Sequence, residues 1–475
     1  MSFVGDAWRV TRALDSFHRR AAARQGRVVT QGRIEDLIRD LELSALARQG
    51  GLKGRRLSRF IDRYLATATR LHHPASMAHQ VAVPHPTGAL AALVDGFTNN
   101  AMAIYEMGPG AAAIEFFVIN WMIEKVGWTP APYPRAVAST APWAGGVLTH
   151  GGSLANLTAL LAARSRIAPE AWRKGVPQDL ALLVSAESHY SIARAVGILG
   201  IGNDAIQHLE VDSRGRILPD RIPAALARVR SAGRRPMALV ANACSTALGM
   251  YDPLAETAAA CREAAVWMHV DGAHGASALL SEKHRSLLKG LEGADSLVWD
   301  AHKLMRTPTL CAAVLVKDSR SLDSAFEQEA SYLFHEKEQP GVDFIHRTVE
   351  CTKAGLGLRF FGALGSLGES GLAAYVDRQF SLARDAHDYI SALPDFECPA
   401  RPDANILCFR LRDCDDAAHL SIRDALIADG SFHLSTAEVN GRRHLRCSFM
   451  NPDTTMRDVR GLIARVRAAA RNCAR

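Results

Sequence analysis

The sequence HVDGAHG at residues 269–275 leads into a polar segment that ends in SLVWDAHK at residues 296–303. Both motifs continue an apolar stretch of strand length and then turn polar. Open α/β sheets place their binding sites at the carboxyl ends of their strands, where such polar residues collect. The two motifs therefore predict an α/β fold whose site receives a carboxylate from Asp271 and an amine from Lys303.

An amine that follows a buried strand is costly to desolvate unless it has a partner or a function. One interpretation of Lys303 is an ordinary ion pair with Asp271. The other is an imine between Lys303 and pyridoxal phosphate (PLP), with Asp271 keeping the pyridine nitrogen protonated. These two residues alone leave both interpretations open.

Composition limits the class of protein. The 475 residues are 48% hydrophobic and 22% charged, which is ordinary for a globular chain of two or three domains. No apolar run reaches eighteen residues and the N-terminus lacks a secretory pattern, so we expect neither a membrane span nor export. The nine cysteines include no CxxC pair, which favours a reduced cytoplasmic protein without a zinc site. The net charge of +7 lies in basic clusters that mostly lack aromatic residues, so we expect anionic small ligands and no nucleic acid.

From residue 145 onward, strands and helices alternate, which is typical of a large, mainly parallel sheet covered on both faces. The predicted strands are Leu180–Ala186, Met237–Ala243, Val266–Val270, Ser296–Trp299 and Cys311–Val316. If the sheet is doubly wound, their ends converge on one crevice.

Three further segments contribute polar groups to that crevice. GGVLTHGGSLANL at residues 145–157 places small residues at a helix start, where Gly152 and Ser153 suit a phosphate, although a plain N-cap is the alternative. His189 follows the first strand and is either a loop residue or a ring that stacks on a planar cofactor. Thr246 follows the second strand and offers a hydroxyl to a cofactor or substrate.

The flanking regions differ in pattern from this central part. Residues 1–72 are predicted to form an N-terminal helical arm that packs on a partner subunit, residues 73–350 the large domain, and residues 351–475 a small α+β domain. The loop at residues 71–80 is rich in histidine without metal-ligand spacing, so we interpret His79 and Gln80 as part of a site wall. Arg446 lies on a predicted strand and needs a carboxylate, from either the protein or a substrate.

Taken together, these motifs resemble the group II PLP-dependent amino acid decarboxylases over roughly residues 60–470. The resemblance rests on DxA at 271–273, DAHK at 300–303, and the segments 149–157, 188–191, 445–446 and 451–452. The segments 99–106, 310–313 and 330–334 are similar to the branch of glutamate and cysteine-sulfinate decarboxylases. The resemblance implies PLP-dependent fold type I (aspartate aminotransferase-like) and a homodimer with its active site at the subunit interface.

The resemblance also implies a role for each site residue. Lys303 would form the Schiff base, Asp271 would pair with the pyridine nitrogen, and His189 would stack on the ring. Further cofactor contacts are implied for Gly152, Ser153, Thr246, Ala273, Asp300 and His302. Substrate contacts are implied for Arg446, Gln80 and His79.

One departure from the family pattern concerns the product. The stretch His335–Arg347 lacks the tyrosine that reprotonates Cα in this family, and Tyr332 lies outside it, so His335, His346 or His189 could supply the proton. Cys244, Gly272 and His274 also replace more usual residues and put the substrate in doubt.

The sequence thus predicts decarboxylation of a small L-amino acid, with acidic ones among the candidates, to the amine and CO2. Relatives without the tyrosine can instead use oxygen and give an aldehyde, which is the first alternative. A non-catalytic PLP-fold binding protein is the second, and the intact Lys303, Asp271 and His189 argue against it.

Overall fold

The computed structural model describes residues 2–133, 143–326 and 341–473. They form two compact units, which we call the terminal unit and the central unit. The terminal unit consists of Met1–His79, Ser381–Arg401 and Asn405–Arg475. The central unit consists of Gln80–Phe380 and Pro402–Ala404.

The central unit contains a seven-stranded sheet with the order β1-β7-β6-β5-β4-β2-β3. Its strands are β1 Gly145–Thr149, β2 Leu180–Ser185, β3 Ile206–Leu209, β4 Arg235–Asn242, β5 Trp267–Asp271, β6 Ser296–Trp299 and β7 Ala312–Val316. Apolar side chains fill the middle strands, and Val240, Val270 and Val298 are completely buried. Strands buried on both faces are typical of a sheet covered by helices on each side.

The described residues contain fifteen α-helices. They are α1 Phe3–Ala22, α2 Ile34–Asp40, α3 Leu43–Gln49, α4 Gly54–Thr67, α5 Pro86–Thr98, α6 Pro109–Val126, α7 Gly152–Ile167, α8 Ala171–Lys174, α9 Ser191–Ile198, α10 Ile222–Ser231, α11 Leu254–Ala264, α12 Ser319–Asp323, α13 Leu356–Ser391, α14 Asp416–Ala428 and α15 Met456–Cys473. Short 3-10 helices occupy Tyr105–Met107, Asn203–Ala205, Pro219–Arg221, Gly275–Leu280, Arg285–Leu288, Leu291–Gly293 and Phe344–Arg347.

The direction of β7 differs from the prediction. Strands β3, β2, β4, β5 and β6 are parallel, as expected, but β7 runs antiparallel to both β6 and β1. The amino end of β7 therefore lies at the site edge, where Ala312 pairs with Thr149 and Ala313 with Trp299. The prediction that this strand brings its carboxyl end to the crevice was wrong, because an apolar run indicates a buried strand and not its direction.

Strand β1 was not predicted, since two glycines open it and glycine weakens a strand. The structure gives the reason for one of them. A Cβ at Gly146 would lie 2.4 Å from the carbonyl oxygen of Val314 and 2.9 Å from a methyl of Leu315. Close packing against β7 thus requires glycine, and β1 carries the chain to the start of α7.

The sequence pattern after residue 350 predicts two amphipathic helices, Lys353–Glu369 and Leu372–Leu393, where the structure has the one helix α13. The break between them survives as a kink at Gly368, which has φ 64° and ψ 176°. Glycine tolerates this left-handed φ without the steric cost that other residues incur. The predicted interruption is therefore a kink within the single helix α13.

The terminal unit is built on the antiparallel sheet β10-β11-β9-β8. Its strands are β8 Phe396–Glu397, β9 Ile406–Leu411, β10 Ser435–Val439 and β11 Arg442–Ser448. The N-terminal segment belongs to this unit: Arg24 Nε donates to Asp458 Oδ1 over 2.8 Å, and the Val28 N–H donates to the Gly430 carbonyl over 2.8 Å. The bounds of the terminal and central units thus differ from those of the three predicted segments, 1–72, 73–350 and 351–475.

Across the described ranges, no helix combines the length and apolar character that crossing a membrane requires.

Candidate functional site

Asp271 ends β5, where it pairs in register with Asn242 of β4 and Val298 of β6. Its side chain is buried and both oxygens accept hydrogen bonds. Oδ1 accepts the Ala273 N–H over 3.1 Å, and Oδ2 accepts Nδ2 of Asn156 over 3.0 Å. These donors fix the orientation of the carboxylate at the edge of the sheet.

Lys303 lies in the turn after β6, and its described ion pair is with Asp300. Its Nζ is 3.2 Å from Asp300 Oδ2, and His302 Nε2 is 3.7 Å from the same oxygen. The Asp300 side chain is 1% exposed, whereas that of Lys303 is 22% exposed, so the amine remains accessible to a small molecule. Among the described residues the alternative ion pair between Lys303 and Asp271 does not form.

Helix α7 begins beside this pair. Gly151 precedes it with φ 104°, and a Cβ at Gly152 would lie 2.8 Å from Asp300 Oδ2. No side chain fits between the helix start and the carboxylate. Ser153 is exposed in the first turn of the helix, where backbone N–H groups favour an anion.

His189 is half-buried between β2 and α9. Its Nδ1 accepts the Ser191 N–H over 3.2 Å and lies 2.8 Å from Ser191 Oγ. Burial lowers the pKa of His189, an effect that Asp271 opposes and Lys303 reinforces. The ring is therefore neutral near pH 7 and influenced by both charged residues of the site.

The remaining predicted cofactor contacts lie around this edge. Ala273 is buried two residues after Asp271, and Thr246 is exposed in the loop after β4. His302 Nδ1 donates to the Cys311 carbonyl over 2.8 Å at the start of β7. The His302 carbonyl accepts the Ala82 N–H over 3.0 Å, two residues after the partly exposed Gln80.

These residues suit PLP on structural grounds. The central unit offers an accessible amine, a fixed carboxylate, a neutral imidazole and a helix start that excludes side chains. Oδ1 of Asp300 is also buried without a hydrogen-bond partner. A buried oxygen in that state is costly, so a bound group that supplies a donor would complete the site.

His79 and Arg446 belong to the terminal unit. Arg446 is buried on β11, where Nη1 donates to the Ala78 carbonyl over 3.1 Å and lies 3.2 Å from Ser435 Oγ. The His79 ring meets that of His433 edge-on at 5.2 Å. Although His79 is solvent-accessible, desolvation by its surroundings lowers its pKa, and Arg446 and Arg423 lower it further. The substrate contacts predicted for Arg446, His79 and Gln80 stay predictions.

Sequence reasoning missed three buried residues that support the site, namely Asn156, Ser191 and His269. Asn156 joins Asp271 to Ser191, and Ser191 joins His189. A signal was available, because an amide flanked by Ala155 and Leu157 in the second turn of a helix needs hydrogen-bond partners if that turn is buried. The identity of those partners depends on residues far away in the sequence.

The predictions about the proton donor fall mainly outside the described residues. Tyr332 and His335 lie there, as does the rest of the stretch 335–340. Within the described ranges, Phe344–Arg347 forms a 3-10 turn that contains His346. No group of three potential metal ligands occurs in the described part of the chain, and its eight cysteines with described side chains are free.

The chain is similar in sequence to several known proteins. The pyridoxal-dependent decarboxylase conserved domain matches residues 57–412. Mouse acidic amino acid decarboxylase GADL1 is 30% identical over 79% of this chain and 69% of its own length. The L-2,4-diaminobutyrate decarboxylase of Rhizobium meliloti (strain 1021) is 32% identical over 81% of this chain and 75% of its own.

Among solved structures, the crystal structure of mouse CSAD is similar with a TM-score of 0.86. The match covers 97% of this chain and 98% of that chain at 23% identity. This likeness confirms the predicted fold class, a large sheet domain with a small C-terminal sheet.

Proposed function

Because the chain belongs to the pyridoxal-dependent decarboxylase family, and is thus a PLP-dependent enzyme that decarboxylates a small amino acid, we propose that its substrate is an acidic L-amino acid and its product the amine. The candidates are aspartate, glutamate and cysteine sulfinate. The mouse relative, named for acidic substrates, supports this class. The relative that acts on diaminobutyrate makes a basic substrate the competing proposal.

The observation that carries the acidic proposal is the buried guanidinium of Arg446 near His79. Arg446 and Arg423 both lower the pKa of His79, and Arg423 also lowers that of His433, which burial takes to about 4. Such surroundings favour a bound anion and disfavour a second ammonium group. We therefore retain Arg446 as the proposed partner of a substrate carboxylate.

We propose that the residues at the sheet edge divide the catalytic work. PLP, when bound, supplies the electron sink for the charge that remains on Cα after loss of CO2. Asp271 provides a fixed negative charge at the edge, and Lys303 provides the amine that would hold the cofactor. Gly152, Ser153 and His302 would receive its anionic end, and the His189 ring would stack on it. By holding the reactants in a fixed orientation, these residues would contribute much of the rate.

A substrate panel tests the proposal. Purified holoenzyme is incubated separately with L-aspartate, L-glutamate, L-cysteine sulfinate, L-2,4-diaminobutyrate and an aromatic amino acid, and CO2, amine, aldehyde and peroxide are measured together. We expect an acidic amino acid to have the highest kcat/KM, with amine and CO2 in equal amounts. A preference for diaminobutyrate contradicts the acidic proposal, and aldehyde with peroxide identifies the oxygen-dependent alternative.

The proposed homodimer rests on the resemblance and on an exposed apolar stripe along α5. Leu90, Leu93 and Val94 follow helical spacing, and Leu90 is 55% exposed. We propose that a second copy of the chain covers this stripe. Proposed cytoplasmic residence agrees with the free cysteines.

Light scattering during gel filtration tests the dimer. We expect the wild-type protein to have twice the chain mass and Leu93→Asp to shift toward the monomer, because a charge at the centre of an apolar interface is strongly unfavourable. Leu420→Asp, which changes an exposed leucine on α14, serves as the matched control and should remain dimeric. An unchanged mass for Leu93→Asp rejects this surface.

A further inference from the structure

Asn156 lies in the second turn of α7 with 1% exposure, and the three polar contacts of its amide described below are within the central unit. Nδ2 is 3.0 Å from Asp271 Oδ2 and 2.9 Å from Ser191 Oγ. Oδ1 is 2.9 Å from His269 Nε2. One side chain therefore bridges the carboxylate at the end of β5 and the serine that holds His189.

The direction of each hydrogen bond follows from chemistry. A carboxylate only accepts, so the amide must present Nδ2 to Asp271 and Oδ1 to His269. His269 Nε2 must then carry a proton and donate it to Asn156. Burial lowers the pKa of His269 to about 4, so the ring is neutral and its Nδ1 is an acceptor.

The far end of the network satisfies this requirement. His269 Nδ1 is 2.8 Å from Ser296 Oγ, which must donate its proton to the ring. Ser296 Oγ in turn accepts the indole N–H of Trp267 over 2.8 Å. An indole nitrogen can only donate, so this end of the network also has a fixed direction.

The near end sets the proton position on His189. Ser191 Oγ accepts from Asn156 and therefore has its own proton available for His189 Nδ1, 2.8 Å away. The Ser191 N–H donates to the same nitrogen over 3.2 Å. Nδ1 of His189 is thus an acceptor, and the proton of the neutral ring is on Nε2.

We infer that Asn156 is a positioning residue that acts on two features of the site at once. It fixes the orientation of the Asp271 carboxylate, and it directs the Ser191 hydroxyl proton toward His189 Nδ1, which reinforces the tautomer that the Ser191 N–H also favours. The hydrogen bonds run in one direction from Trp267 to His189, and Asn156 is the only side chain of this network that contacts both branches. The inference rests on the proposed function in one respect, namely that Asp271 and His189 hold PLP. It adds a buried asparagine, outside the predicted contacts, as the residue that coordinates them.

The test measures PLP binding by apoprotein. Asn156→Ala removes the donor to Asp271 and to Ser191, and we expect the Kd for PLP to rise about 10- to 100-fold, as for loss of a hydrogen bond to a charged group. Thr158→Ala is the matched control, since Thr158 is a buried polar residue of α7 that donates to the Leu154 carbonyl over 2.8 Å. It should lower the thermal midpoint, because truncating a completely buried side chain leaves a cavity, while the Kd stays within about twofold.

Asn156→Asp gives a readout that a packing defect would not produce. It places a second carboxylate next to Asp271, and two carboxylates at this separation share a proton. The other ionisable groups on this face are His269 on β5 and His189 beyond Ser191, with Asp300, Lys303 and Arg194 acting on His189. We expect the ratio of the variant Kd to the wild-type Kd to fall as the pH is lowered from 8 to 6, because protonation restores a donor between residues 156 and 271.

A double-mutant cycle with Ser191→Ala completes the experiment. If Asn156 acts through Ser191 on His189, the combined effect on Kd is smaller than the product of the single effects. Multiplicative effects, a pH-independent ratio for Asn156→Asp, or equal losses for Asn156→Ala and Thr158→Ala would each overturn the inference. Absence of CO2 release by wild-type protein would instead count against the proposed function. The Kd values of the variants would still test whether Asn156 positions Asp271 and His189.

Discussion

Lys303→Ala is expected to abolish turnover, with a loss of at least about 10⁴-fold in kcat on the best substrate. The amine is the nucleophilic group that lies beside the buried Asp300 carboxylate at the start of α7, with Nζ 3.2 Å from Oδ2. An alanine cannot hold the cofactor covalently or be exchanged for the substrate amine. The variant should fold with reduced stability, because the Lys303 side chain is partly exposed but its loss removes the ion-pair partner of the buried Asp300 carboxylate.

Three measurements check this expectation. Steady-state CO2 release gives the loss in turnover, and urea denaturation verifies that the variant is folded. Borohydride reduction of the wild-type holoenzyme, followed by peptide mapping, should leave the cofactor on the peptide that contains Lys303. Lys283→Ala, which removes an exposed lysine near Asp377, controls for loss of a positive charge and should retain full activity. Steady-state turnover by Lys303→Ala, or modification of another lysine, would reject the assignment.

The parts of the site that could be predicted are those whose signal is local in the sequence. Asp271 and Lys303 each follow an apolar strand closely, so a few adjacent residues are enough to predict that they lie at strand ends. The helix start at Gly152 is recognisable for the same reason, because the small residues that mark it are adjacent in the sequence. Such motifs also carried the resemblance to the decarboxylase family, which the domain match over residues 57–412 confirms.

The parts that could not be predicted depend on distant contacts. The direction of β7 is set by which strands flank it, and the apolar run Ala312–Val316 is the same in either direction. Arg24 bonds to a residue 434 positions away, so the attachment of the N-terminal segment to the terminal unit has no local signal. Asn156 and Asp271 are likewise 115 residues apart. A sequence shows that a buried amide needs partners, but the fold decides which ones it meets.

Asp271→Asn is expected to produce the second-largest effect, a fall in kcat of at least about 10³-fold with little change in folding. The substitution keeps the size of the side chain and removes its charge, which the proposed role requires next to the pyridine nitrogen. The substitution also disrupts the hydrogen bonding. The oxygen of the new amide can accept the Ala273 N–H, but its NH₂ group then replaces Oδ2, which lies 3.0 Å from Nδ2 of Asn156 in the wild-type protein. Two donors facing each other in a buried site force one of them to rearrange.

The variant therefore separates the electronic contribution of Asp271 from its structural one. If the charge matters, kcat falls far more than PLP affinity does, and the loss persists at saturating PLP. Asp271→Glu keeps the charge at a different distance and should lose less than Asp271→Asn. Combining Asp271→Asn with Asn156→Asp places an acceptor opposite the new amide and should restore PLP affinity without restoring kcat. The hydrogen bonds at the end of β5 serve orientation, whereas the charge of Asp271 is what stabilises a protonated ring nitrogen. A wild-type kcat for Asp271→Asn would therefore show that this charge has no part in the chemistry.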